Sequence, residues 1–289
     1  MKKVTIIPLL VFLFSVLNTQ AQSYDAFVKK VNETYLSIPN TQFCASMCEC
    51  TNEDYQVFLA ASPENKQYIY DSAGWNFSPY FKDAQVYNEP LTRVYYQHQA
   101  YKTFPVVNVS QESATAYCAW LTQVYNSNPN RKYKKVEFRL PTEKDWIQAA
   151  TGNLPEPNEK KVFPWRGLTF KDKKGLYLAN FASVGEYNIK RNASGQLIYD
   201  TLGFGSDLGS DGAIYSTRCV GNYPPNDFGL YHMAGNVSEY TSVTGQTKGG
   251  SYISPGHYLL LKSNDPEFPN MEKGGAFIGF RPFMYIQEK

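Results

Sequence analysis

A chain of 289 residues with a formal charge of only +2 and no basic block lacks the electrostatic footprint of a nucleic-acid binder. Its 43% hydrophobic content supports a buried core, and past Leu17 no apolar run is long enough to cross a bilayer. Aromatic residues make up 16% of the sequence and include 23 tyrosines, which suit either irregular cores, with the ring buried and the hydroxyl partnered, or binding surfaces.

The first element is a leader. Lys2 and Lys3 precede an apolar run from Val4 to Leu17, and Thr19-Gln20-Ala21 offers a small-x-small cleavage site. That is the pattern of a secretory signal peptide over residues 1–21, too short for a confident membrane span. The mature chain is expected to begin near Gln22 and to be exported, periplasmic or extracellular. No cysteine follows the run, which argues against a lipid anchor.

Residues 22–39 read as an N-terminal helical segment, because Phe27, Val28, Val31 and Tyr35 recur at helical spacing up to Leu36. Residues 40–289 read as one α+β domain. Phe43 to Cys50 is expected as a strand, and Thr51-Asn52-Glu53-Asp54 as the cap of a helix through Tyr55, Phe58 and Leu59. No sustained period runs from Ser62 to Thr103. A Ser110 cap starts a helix to about Gln123. Phe138 to Pro141 is a short strand, and Thr142 caps a third helix through Trp146, Ile147 and Ala150. After Gly152 regular pattern nearly vanishes, and long irregular stretches of this kind are functional or pinned by something other than ladders. Gly274 to Phe283 is expected as the closing strand.

An odd set of cysteines in an exported chain, Cys44, Cys48, Cys50, Cys118 and Cys219, leaves at least one free or paired to another molecule. Cys44, Cys48 and Cys50 share a face if their stretch is a strand. Neighbours two apart on a strand are poorly placed for a disulfide, and no fourth ligand stands nearby for zinc. They read as small buried hydrophobes.

An ordered series of segments then carries a resemblance. It comprises Thr51 to Tyr55, Phe104 to Ser110, Ala116 to Leu121, Phe138 to Glu143, Phe163-Pro164-Trp165, Pro225 to Tyr240, Gly249-Gly250-Ser251-Tyr252 and Gly279-Phe280-Arg281. Together these resemble the formylglycine-generating-enzyme, or sulfatase-modifying-factor, family. The resemblance implies a loop-rich α+β fold related to C-type lectins, with little regular secondary structure.

The family includes copper enzymes that oxidise a sulfatase cysteine to formylglycine, domains attached to iron-dependent sulfoxide synthases, and lipoproteins of gliding motility and type IX secretion. The enzyme's two thiols follow the Ser of its Gly-Gly-Ser motif by three and eight residues, which here gives Ser254 and Leu259. Neither can replace a soft thiolate ligand of copper(I), so no copper is expected and no catalytic residue is assigned. His98, His232 and His257 are widely spaced and form no iron-binding cluster. Ser251 lacks a nucleophile elbow and an acid placed to orient His257, which argues against a hydrolase. The stretch from Tyr87 through Tyr101 is similar to the gliding-motility branch in particular.

Two kinds of site remain. In Gly235-Asn236-Val237-Ser238-Glu239 an amide oxygen, a carboxylate and intervening carbonyls suit a hard cation, although a turn capped by Asn236 with Glu239 solvated accounts for the same residues. The resemblance implies structural calcium at Asn236, Val237 and Glu239, and a second site at Asn180, Phe181, Asp211 and Ala213. Arg281 is expected as a buried arginine paired with a carboxylate, Glu143 being one candidate. Arg93, Tyr95 and Tyr96 are interface-anchor types in a tyrosine-rich stretch, with a core role as the alternative. The function expected is a non-catalytic binding or scaffold protein of the bacterial envelope, recognising another envelope protein or a glycan and linked to gliding motility or type IX secretion. The alternative is a divergent family enzyme, formylglycine-generating or a non-haem iron oxidoreductase.

Overall fold

The computed structural model describes residues 24–76, 90–152, 162–182, 189–191, 193–199, 221–264 and 270–289. The leader, Cys219, Asp211 and Ala213 lie outside them. The helices are α1 (24–34), α2 (Asn52–Ala61), α3 (90–94), α4 (Gln111–Ser127) and α5 (Glu143–Thr151). The strands are β1 (Tyr35–Ser37), β2 (Phe43–Ser46), β3 (Lys135–Arg139), β4 (Ile189–Arg191), β5 (Leu197–Tyr199), β6 (Ser238–Tyr240), β7 (Thr247–Lys248), β8 (Ile278–Gly279) and β9 (Phe283–Glu288). The fold is α+β and loop-rich, as expected.

Three helices start where the side chains dictate. Thr51, Ser110 and Thr142 each turn a hydroxyl back to accept the amide N–H three residues on, at 3.2, 3.0 and 3.1 Å. Each satisfies one orphan donor of the first turn. α4 runs on to Ser127, and Ala114, Tyr117, Cys118, Leu121 and Tyr125 form its buried stripe.

The main sheet is antiparallel, in the order β1-β2-β9-β3. One of its two inner strands, β9, is the last element of the chain and brings Met284 opposite both Cys44 and Phe138. The expected closing strand therefore falls in two pieces. β8 runs parallel to β6 in a smaller sheet of order β7-β6-β8. Arg281 then turns inward, Pro282 follows, and β9 begins. β4 and β5 pair with each other.

β2 is shorter than expected. After Ser46 the chain bends, with the Met47 amide bonded to Thr34 O (2.8 Å) and the Cys50 amide to Phe280 O (2.8 Å). The bend carries Glu49 into the interior. Cys44 and Cys50 are buried free thiols, as read, but Cys48 is disulfide-bonded, which corrects its reading as a plain hydrophobe. The N-terminal segment is not set apart from the rest. Phe27, Val28 and Val31 of α1 enter the main core and β1 pairs with β2.

That core is aromatic. Tyr55, Phe58, Tyr117, Trp120 and Phe280 pack ring to ring at 5.4–6.1 Å. The hydroxyls close loops: Tyr55 donates to Tyr68 O (2.6 Å), Tyr95 to Pro105 O (2.7 Å), Tyr96 to Val107 O (3.0 Å) and Tyr240 to Met271 O (2.6 Å). A chain with few ladders has many carbonyls to satisfy, and tyrosine does so from within the core. Among the described residues no helix is long and apolar enough to cross a membrane.

Candidate functional site

The sequence motifs converge on one buried polar centre and the turn beside it. Glu49 comes from the bend after β2, Glu239 from β6 and Arg281 from the break between β8 and β9. All three are at most 3% exposed, so their charges must be met by one another. Arg281 Nε donates to both oxygens of Glu239 (2.9 and 3.1 Å), and Nη2 donates to Glu239 Oε1 (2.6 Å) and to Tyr231 O (2.7 Å). Nη1 donates to Ser46 O (2.8 Å). Trp146 Nε1 completes the set by donating to Glu239 Oε2 (2.8 Å).

Glu49 is the second carboxylate on one guanidinium. Its Oε1 accepts from Asn236 Nδ2 (2.8 Å), while Oε2 lies 4.0 Å from Arg281 Nη2, whose two N–H bonds are already spent. Burial pushes both carboxyls above the ordinary range, and the Arg281 charge opposes the shift. Burial disfavours charge on Arg281, but Glu239 and Glu49 outweigh it and hold the guanidinium above its usual value. Arg281 is thus the buried arginine expected, with Glu239 as its partner. Glu143 instead meets the buried Lys248 at 3.2 Å.

Asn236 joins this centre to the loops. Its amide donates to Asn180 O (2.7 Å), its carbonyl accepts from the Tyr252 amide (2.9 Å), and its φ of 67° is one that Asn tolerates. Gly235 before it also has positive φ, and a Cβ there would lie 2.2 Å from Asn180 O, so only glycine fits.

The Gly249-Gly250-Ser251 turn stands beside this centre. Ser254 Cβ and Leu259 Cδ1 each lie 3.3 Å from where a Cβ on Gly250 would stand, so the two side chains flank one point. Both residues are committed elsewhere. Ser254 Oγ accepts from the Ser251 amide (2.9 Å) and meets Ser251 Oγ at 3.1 Å, while its carbonyl accepts from the Ala182 amide (3.0 Å). Leu259 is 1% exposed in an apolar cluster with Phe163, Phe181 and Ala234. His257 is exposed and sits edge-on to Tyr258 at 5.3 Å.

A sequence profile described as "Sulfatase-modifying factor enzyme 1-like domain" matches residues 14–284. The chain belongs to this family. The formylglycine-generating enzyme of Mus musculus is 27% identical over 186 residues, covering 63% of this chain and 37% of that protein. The chain thus spans little more than a third of the mouse enzyme's length. A protein named inactive C-alpha-formylglycine-generating enzyme 2, also of Mus musculus, is 25% identical over 230 residues, covering 72% of this chain and 60% of that one. Among solved structures, PvdO from Pseudomonas aeruginosa aligns with a TM-score of 0.48 at 18% identity, covering 84% of this chain and 80% of that one.

Within this family member the expected metal residues divide. Asn236 and Asn180 come together, although they were assigned to different sites. Glu239 has its two oxygens taken by Arg281 and Trp146, and a hard cation there would face a guanidinium. The set Asn236, Val237 and Glu239 therefore does not fit calcium. Of the second set, Asn180 and Phe181 are buried neighbours of the Ser254 turn. No group of three or more His, Cys, Asp or Glu side chains suits a metal among the described residues. Burial raises the thiols of Cys44, Cys50 and Cys118 above their ordinary value.

The aromatic stretch needs a correction. Tyr95 and Tyr96 are 0% and 6% exposed, with hydroxyls bonded to backbone carbonyls, so they are core residues and not surface anchors. Arg93, on the same helical turn, is exposed. Sequence reasoning missed Glu49 and Trp146 as members of the centre. Glu49 lay hidden among cysteines in an expected strand, and Trp146 read only as the apolar face of α5.

Proposed function

We propose that this chain is a non-catalytic binding or scaffold protein of the bacterial envelope that keeps the family framework without its chemistry. One observation carries the reading. The two side chains that flank Gly250, at the positions where the resemblance puts the enzyme's thiols, are a serine closing its own turn and a leucine buried in an apolar cluster. Neither offers a soft ligand or a nucleophile to the surface. A relative whose name calls it inactive is in keeping with this.

Export follows from the basic start and the Thr19-Gln20-Ala21 site, and the gliding-motility or type IX secretion link from the Tyr87 to Tyr101 stretch. The partner in this reading is another envelope protein or a glycan. Structural calcium belongs to the reading only through Asn180, Phe181, Asp211 and Ala213. The rival, a divergent oxidase, requires a thiol or metal centre elsewhere. The test is conversion of a sulfatase-derived cysteine peptide by the protein with copper and oxygen. Retained thiol is expected, and turnover above a no-protein control would favour the rival.

A further inference from the structure

Resting on this binding reading, we propose that the hairpin formed by residues 165–178 is a docking surface for an acidic, leucine- or phenylalanine-bearing segment of a partner polypeptide. The segment 162–182 is tied at both ends to the stretch that carries Ser254 and Leu259. Val162 O accepts from the Leu261 amide (2.8 Å), and the Ala182 amide donates to Ser254 O (3.0 Å). Between these ties the chain folds on itself. Lys171 pairs with Tyr177, the Leu178 amide bonds to Phe170 O (2.9 Å), and Asp172 Oδ1 accepts from the amides of Lys174 (2.8 Å) and Leu176 (2.9 Å). Phe163 stacks on Trp165 at 4.9 Å, and Phe170 packs on Phe181 at 4.8 Å. The frame is ordered from within.

Its outer side is not satisfied in the same way. Leu168 and Leu176 are 62% and 64% exposed, the two highest values among the large apolar side chains described. They stand among exposed Arg166, Lys171, Lys173 and Lys174. Arg166 has Asp227 at 3.5 Å, and Lys171 lies 4.3 Å from the Tyr177 ring centre. Lys173 and Lys174 have no carboxylate within ion-pair distance among the described residues, and Asp172 turns its Oδ1 to the amides of its own turn. Uncovered leucines within a positive field on a fixed frame match a partner with carboxylates interleaved with apolar side chains.

A lipid surface fits less well. The apex, Asp172-Lys173-Lys174-Gly175, is polar and the leucines lie outside it. Trp165 is held by its stack and by donating Nε1–H to Thr169 O (2.9 Å), so it is not free to anchor in an interface.

The test titrates three probes against the full secreted chain: synthetic peptides alternating Glu with Leu, the same peptides with Gln for Glu, and phosphatidylglycerol-containing vesicles. The acidic peptides should bind, and about tenfold more tightly than the Gln set, as expected for rim charge complementarity. Lys173→Glu with Lys174→Glu, and separately Leu168→Ser with Leu176→Ser, should each weaken binding about tenfold with the melting temperature unchanged. Equal affinity for the Gln set, binding unchanged in both variants, no peptide binding, or binding to vesicles alone would each overturn the proposal. The peptide-oxidation assay on the same preparation separates the two readings. No oxidation with no peptide binding sinks the hairpin alone, and oxidation with peptide binding sinks the non-catalytic reading alone.

Discussion

The aromatic core beneath the main sheet and the polar centre around Arg281 solve one problem by opposite means. Both lie where the chain runs in loops and leaves carbonyls without ladder partners. In the core, tyrosine hydroxyls reach those carbonyls from buried rings, as Tyr95 does at Pro105. At the polar centre a single guanidinium reaches Ser46 O and Tyr231 O while neutralising Glu239, and a glycine lets Asn236 approach Asn180. The first device is distributed over many rings. The second concentrates the same task in one side chain, so the two regions should respond differently to substitution.

The largest effect should come from Arg281→Met. It strands Glu239 and Glu49 together and leaves the Ser46 and Tyr231 carbonyls without their guanidinium donor, and loss of one partner of a buried ion pair costs about 3–5 kcal/mol. Denaturant unfolding should show this loss, and a cost no larger than that of a surface change would mean that the centre is hydrated.

Calcium comes next. If the Asn180 and Asp211 set binds it, saturation at about a hundred times Kd adds about 2.7 kcal/mol. A chelator should then lower the melting temperature of the wild type and of Glu239→Gln by similar amounts, but should leave Asp211→Asn unmoved. A response lost in Glu239→Gln instead would return the site to Glu239.

Tyr95→Phe sharpens the contrast from the core side. The ring stays and Pro105 O loses its donor, at a cost of about 1–3 kcal/mol for an unsatisfied buried acceptor. A variant as stable as the wild type would show that the hydroxyl is dispensable and that the account of tyrosine usage is wrong. The smallest effect belongs to Thr142→Ala, about 1 kcal/mol for a lost helix cap. It should appear in thermal melts, and no shift would mean that packing of Trp146 alone fixes the start of α5.

The two regions also differed in how far they could be read beforehand. Helix starts were legible because Thr51, Ser110 and Thr142 act on amides three residues away, a range the sequence displays directly. The helical faces of α2 and α4 were legible for the same reason, and that of α1 through Phe27, Val28 and Val31, whereas Tyr35 and Leu36, read as part of the same helix, fall in β1 because they pair with β2. β9 was not, because nothing local marks Phe283 to Glu288 as the strand between β2 and β3. Glu239 was noticed for its oxygens but paired with the wrong chemistry, since its partner lies 42 positions on and only the fold brings Arg281 to it. Tyr95 and Tyr96 failed as surface residues because tyrosine serves both roles, and composition does not say which way a ring faces.

The proposed reading turns on the positions flanking Gly250 serving packing and not chemistry. The most direct measurement is mass spectrometry of a sulfatase-derived cysteine peptide after incubation with the protein, copper and oxygen. It should be run for the wild type and for a Ser254→Cys, Leu259→Cys double variant that keeps its fold by circular dichroism. The account predicts that the wild-type sample keeps every thiol, at the level of a no-protein control, whatever the variant does. Formylglycine formed by the wild-type chain above that control would contradict it.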